Sequence, residues 1–177
     1  MRDKTRRVTM KQSEAIKGLE TALQAELNGI EFYRLAAEKT TDPKGKKVFE
    51  MLATDEYKHF ETLQKQYASL TKKNEWEIID VGEASALEGE SPIYSLELKE
   101  RVKGKHFEMT ALSIGTLLES NSIDFYRRMK EESDDPAAVK LYSQLQKWEE
   151  GHLEALTKQL NLIKEEYWAE QRFSPLF

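Results

Sequence analysis

The sequence predicts an all-α protein, a bundle of four long helices arranged as two antiparallel hairpins joined by a long crossover. Three observations predict it. Apolar residues recur at helical spacing in four segments, about 14 to 40, 43 to 70, 107 to 133 and 136 to 167. With 33% charged and 39% hydrophobic residues but 8 Gly and 4 Pro in 177 residues, the composition favours exposed-faced helices over strands and turns. Finally, shifting the chain by 93 residues without a gap aligns 26–66 with 119–159 at 17 identities in 41 positions. The aligned pairs include Phe32-Tyr33 with Phe125-Tyr126 and both Asp-Pro steps, which favours duplication over convergence of two generic hairpins.

The first and second segments are separated by "TTDPK", the third and fourth by "ESDDPAA". Each reads as Asp at the N-cap with Pro at the first helical position, so Asp42-Pro43 and Asp135-Pro136 end one helix and start the next. Helices of roughly 24 to 32 residues would run about 36 to 48 Å. Between the hairpins, "TKKNEWEIIDVGEASALEGESPIYSLELKERVKG" is too long for a turn, although "SLELKERV" could form a short helix. A crossover that runs the length of a bundle needs such a segment. The expected organisation is one domain over 1–177: hairpin one about 14–70, crossover about 71–106, hairpin two about 107–167 and a tail over 168–177.

Composition also narrows the function classes. A formal net charge of -5 with interspersed signs leaves no basic stripe, so neither nucleic acid nor an anionic membrane is an expected partner. The basic start "MRDKTRRVTMKQSEA" lacks the apolar run of a signal peptide, and no stretch approaches the roughly 18 apolar residues of a membrane span. A soluble, cytoplasmic protein is expected. With no cysteine, the chain can form neither a disulfide nor a thiolate metal site, so any metal must be held by histidine and carboxylate.

Heptad reading of the apolar faces puts charged residues where they do not belong. The first helix carries Leu19, Leu23, Glu26, Ile30 and Tyr33, the second Phe49, Leu52, Glu56, His59, Leu63 and Leu70. The third carries Leu112, Gly115, Glu119, Ile123 and Tyr126, the fourth Tyr142, Leu145, Glu149, His152, Leu156 and Ile163. Every helix thus has a glutamate on its apolar face, and the second and fourth add a histidine one turn further on. A lone E-x-x-H on a charged helix is more often a surface pair. Two such motifs in register in a repeat, each with a partner glutamate, are a stronger signal.

Four buried carboxylates require compensation, because an isolated buried ion neutralises itself or finds a partner. Two divalent cations balance four glutamates and two neutral imidazoles, and bridging carboxylates can leave positions open for a small oxidant. The candidate metal-ligating set is therefore Glu26, Glu56, His59, Glu119, Glu149 and His152. A glutamate from each of two helices with Glu-x-x-His from the other two is the donor set of dinuclear carboxylate bundles. In "WEEGH" the ligand candidate is Glu149, three residues before His152, whereas Glu150 points away; Gly151 aligns with Lys58 and has no evident role. Tyr33 and Tyr126 fall two turns beyond Glu26 and Glu119. They are expected to pack the core, with a hydrogen bond to a ligating carboxylate or a local redox role as the functional alternative. Trp148, aligned with Asp55, is expected to pack the flank; Glu61 and Glu154 should face solvent, and His106 should start a helix.

The stretches "ELNGIEFY" and "ESNSIDFY" on the odd helices, with "DEYKH" and "WEEGH" on the even ones, resemble a rubrerythrin-type member of the ferritin-like superfamily. The resemblance covers nearly the whole chain, and "EEYWAEQRFSPLF" is similar to the tails of rubrerythrin-like proteins that stand alone. It implies a ferritin-like bundle holding two iron ions. It also implies an oxidoreductase that reduces hydrogen peroxide or dioxygen, and a homodimer. Rubrerythrins proper usually append a cysteine-ligated rubredoxin domain; without cysteine, electrons would come from a separate redox protein. They also usually carry another glutamate one turn after the third-helix ligand, where this chain has Ser122, so carboxylate-for-histidine exchange during peroxide turnover lacks its usual residue. Ligand types alone admit manganese or zinc. Two alternatives accompany the oxidoreductase: a ferroxidase or iron-storage protein, and a structural or regulatory metal-binding bundle without redox turnover.

Overall fold

Asp-Pro steps divide each hairpin as the sequence predicts. The computed structural model describes residues 11–82, 85 and 105–170, with 105–106 and 166–170 described as backbone. It contains α1 (Gln12–Lys39), α2 (Pro43–Lys73), α3 (Lys105–Glu132) and α4 (Pro136–Glu170). No strand occurs among the described residues. The Asp42 carboxylate accepts from the backbone N–H groups of Lys44 and Gly45 at 3.0 and 2.9 Å, and Asp135 accepts from Ala137 at 2.8 Å. Both acidic caps satisfy donors that a helix start leaves free.

The helices outrun the expected boundaries. α2 continues to Lys73 and is closed by Asn74, whose left-handed backbone (φ 59°) lets its N–H reach the Leu70 carbonyl at 3.2 Å. α4 extends to Glu170, and α3 starts at Lys105, so His106 lies in its first turn. The suggested short helix in "SLELKERV" and the tail from 171 onward lie outside the described residues.

α1 packs along α2 and α3 along α4, with a lesser contact between α1 and α3. Two apolar clusters fill the interior. One joins Leu19, Leu63, Tyr126, Leu141 and Tyr142; the other joins Tyr33, Phe49, Leu52, Leu112 and Leu156. The first cluster therefore gathers the start of α1, the end of α2, the end of α3 and the start of α4. The second gathers their opposite ends. Hence α2 finishes at one end of the bundle and α3 begins at the other, so residues 74–104 must connect opposite ends. Their first part turns back along α2: Ser69 donates to the Glu75 carbonyl at 2.9 Å, Val81 is buried in the first cluster, and Ser85 reaches Asp55. No helix among the described residues is long and apolar enough to cross a membrane.

Gly151 sits mid-helix, is exposed, and a Cβ built on it would meet nothing within 4 Å. No packing demand explains a glycine there. Gly151→Ala is accordingly expected to stabilise the protein by about 1 kcal/mol, an increase of roughly 2–4 °C in melting temperature by calorimetry.

Candidate metal centre

Between the two apolar clusters lies a polar layer to which every helix contributes. Glu26 on α1, Glu56 and His59 on α2, Glu119 on α3, and Glu149 and His152 on α4 are all buried. The 3.6-residue period places each glutamate on the inward stripe and each histidine one turn beyond its glutamate. The six side chains converge as two overlapping sets whose ligand atoms lie within 4.8 Å of one another. Glu26, Glu56, His59 and Glu149 form one set; Glu56, Glu119, Glu149 and His152 form the other. Glu56 and Glu149 belong to both.

Each histidine turns Nδ1 inward. Nδ1 of His59 lies 3.1 Å from Glu56, 3.4 Å from Glu149 and 3.5 Å from Glu26. Nδ1 of His152 lies 3.2 Å from Glu149, 3.6 Å from Glu56 and 3.7 Å from Glu119. The imidazole rings stand 6.0 Å apart. Such a donor set, four carboxylates and two ring nitrogens around a shared pair, suits two adjacent divalent ions.

Tyr33 and Tyr126 do more than pack. The Tyr33 hydroxyl donates to Oε1 of Glu119 and the Tyr126 hydroxyl donates to Oε1 of Glu26, so each phenol reaches the glutamate of the other hairpin that belongs to one set alone. Two glycines make room around this layer. A Cβ on Gly115 would sit 3.4 Å from the Tyr33 hydroxyl and 3.1 Å from Leu156, and one on Gly29 would sit 3.3 Å from Cγ of Glu56. Of the other side chains singled out in the sequence, Glu61, Glu150 and Glu154 are exposed.

Asp55 is the residue that the helical pattern did not disclose. Although it neighbours Glu56 and lies off the inward stripe, it is fully buried, and its Oδ2 lies 3.4 Å from Nε2 of His152. Lys58 donates to it at 2.8 Å, and Ser85 donates through its backbone N–H at 2.8 Å and its hydroxyl at 2.7 Å. The available signal was the acidic residue directly before Glu56, at the position where the other repeat has Trp148. Trp148 itself packs edge-on against the His59 ring, with centroids 4.8 Å apart.

The protonation pattern follows from crowding. Burial and the charge of Glu56 push the Glu26 carboxyl well above its ordinary range; burial and the charges of Glu149 and Glu56 do the same to Glu119. Burial also pushes Glu56 and Glu149 upward, but hydrogen bonds from His152 and His59 outweigh it and hold Glu56 low; with the His59 charge they also lower Glu149. Burial would lower His59 and His152, yet the surrounding carboxylates raise both. Burial and the neighbouring carboxylates raise both phenols, which therefore remain donors.

A groove of about 590 Å³ opens between α1 and α3. Its lining includes Glu26, Glu56 and Glu119 of the centre together with Asn28, Asn121 and Ser122.

The fold and this layer define the chain as a carboxylate–histidine four-helix protein able to hold metal. The family model for rubrerythrin matches residues 17–160, and the chain belongs to the rubrerythrin family. No curated protein and no solved structure matches it.

Two outcomes are expected. Divalent ions must displace the protons that Glu26, Glu119, His59 and His152 hold to higher pH than usual, up to four protons for two ions. Affinity should therefore fall as pH drops from about 8 to about 6, with proton release measurable in a weakly buffered indicator titration. Tyr33→Phe and Tyr126→Phe each remove a donor from a buried carboxylate and should weaken ion binding by about tenfold in competition titrations.

Proposed function

We propose that this chain is a non-haem di-iron oxidoreductase that reduces hydrogen peroxide or dioxygen with electrons from a separate redox protein. The observation that carries the reading is the pair of overlapping Glu/His sets sharing Glu56 and Glu149, with a groove leading to them from the α1–α3 face. Ferrous ions held there would supply the electrons that the oxidant takes up.

The protein's own residues divide the remaining work. Glu56 and Glu149, on α2 and α4, belong to both sets and would contribute to holding both ions, while Glu26 with His59 and Glu119 with His152 would hold one each. Tyr33 and Tyr126 each donate to one oxygen of Glu119 and Glu26 and so would fix the orientation of those carboxylates while the phenol oxygens keep their protons. The apolar clusters above and below close off bulk water along the bundle axis, leaving the α1–α3 groove as the approach supported by the lining residues. Ser122 on that groove supplies no additional carboxylate, so the ligand set stays fixed through turnover on this reading.

The test is anaerobic loading with Fe(II) followed by rapid mixing with hydrogen peroxide and, separately, dioxygen. Fast formation of a ferric optical spectrum, reversed by an added reductant over repeated cycles, is expected; no reaction with either oxidant overturns the reading. A closed shell of many subunits that retains ferric mineral would instead identify iron storage. Glu56→Ala and Glu149→Ala should each abolish binding of both ions, because each removes a donor common to both sets. Glu26→Ala and Glu119→Ala should weaken one ion by about tenfold or more while sparing the other. Metal stoichiometry by elemental analysis separates these outcomes.

A further inference from the structure

We propose that the two metal positions are unequal, the one at Glu119 and His152 being filled first and held more tightly than the one at Glu26 and His59. This rests on the dinuclear reading above and assigns Asp55 as the positioning residue that creates the difference.

In the donors themselves the two candidate positions are balanced. Each half has one terminal glutamate, one Nδ1 and the same two shared carboxylates, and each terminal glutamate accepts from a tyrosine of the opposite hairpin. The halves differ at the outer nitrogens of the histidines. Nε2 of His152 faces the carboxylate of Asp55 at 3.4 Å. Nε2 of His59 is buried and has no hydrogen-bond partner among the described residues; its ring lies against the indole of Trp148, which offers no acceptor. Positions 55 and 148 correspond in the repeat, so equivalent places carry an acceptor on one side and an apolar ring on the other.

A histidine that binds metal through one nitrogen is oriented and made more basic when the other donates to a carboxylate. Asp55 therefore holds His152 with Nδ1 directed at Glu56, Glu119 and Glu149, and stabilises a positive ion there through a polarised ring. Asp55 is itself built in: Ser85 supplies two hydrogen bonds and Lys58 a third. Lys58 also lies 5.5 Å over the Trp148 ring, so its charge is shared between the flanks and does not reproduce on the His59 side what Asp55 provides. At Nε2, His59 has no acceptor to fix its tautomer and no carboxylate to polarise the ring from that side. Its ion is the one the protein exchanges more readily.

The experiment is anaerobic titration of chelator-stripped full-length protein with Co(II), followed by its visible ligand-field spectrum and by competition with a chromophoric chelator. Wild-type protein should bind the first equivalent at least about tenfold more tightly than the second. Asp55→Asn should weaken the first step by about tenfold, bring the two steps together and shift the spectrum of the first equivalent. His152→Ala should remove the tight step and leave the weak one, whereas His59→Ala should do the reverse. Trp148→Asp, which gives the His59 half the residue found at the matching place, should tighten the second step. Should that core substitution prevent folding, Asp55→Asn and the two histidine variants still decide. Two equal steps in wild type, or an unchanged first step in Asp55→Asn, overturn this inference while leaving two bound ions in place. Failure to bind two ions at all overturns the dinuclear reading itself.

Discussion

Everything in this bundle is arranged around a charge problem. Four glutamates from four helices occupy the middle of an apolar interior, where unpaired charge is far more costly than any single packing contact is favourable. Protons on the two terminal glutamates and on both histidines offset the charge in one way, and two divalent ions would offset it in another. Either solution brings the layer to neutrality. The apolar clusters on either side hold the helices in register so that the same six side chains serve both.

The layer also ties the two hairpins together. Within a hairpin, helices pack along their whole length, but α1 and α3 meet only lightly. Between the hairpins Tyr33 donates to Glu119 and Tyr126 to Glu26, from α1 and α3, while His59 faces Glu149 and His152 faces Glu56, from α2 and α4. Contacts that shape the centre are thus also those that dock one half of the molecule on the other. Occupancy of the centre and cohesion of the fold are linked for that reason. The crossover joins in through Ser85, which secures Asp55 from outside the bundle.

Much of this could be read from residue spacing alone. The Asp-Pro caps located both turns, and the heptad stripes placed Glu26, Glu56, His59, Glu119, Glu149 and His152 on inward faces, where they meet. Which atoms would meet across helices was less accessible, because spacing along one helix specifies a face and not a partner. Tyr33 was thus legible as a core residue, but its bond to a glutamate 86 residues away was not. Asp55 escaped for a related reason: it lies beside the inward stripe, and two of the hydrogen bonds that hold it come from Ser85, 30 residues further on in a sequence without helical periodicity. The ends of α2 and α4 ran past their apolar patterns because a helix can continue on hydrogen bonds after its buried face has ended.

Each hairpin brings three of the six donors, in the same order and at the same spacing. Two identical hairpins, facing one another about a two-fold axis, could assemble the same ring of carboxylates and imidazoles. Such a dimer could never place aspartate at one flank and tryptophan at the other, since a single gene would write both. Joining the copies into one chain released position 55 from position 148, so covalent linkage here gives the protein permission to break its own symmetry.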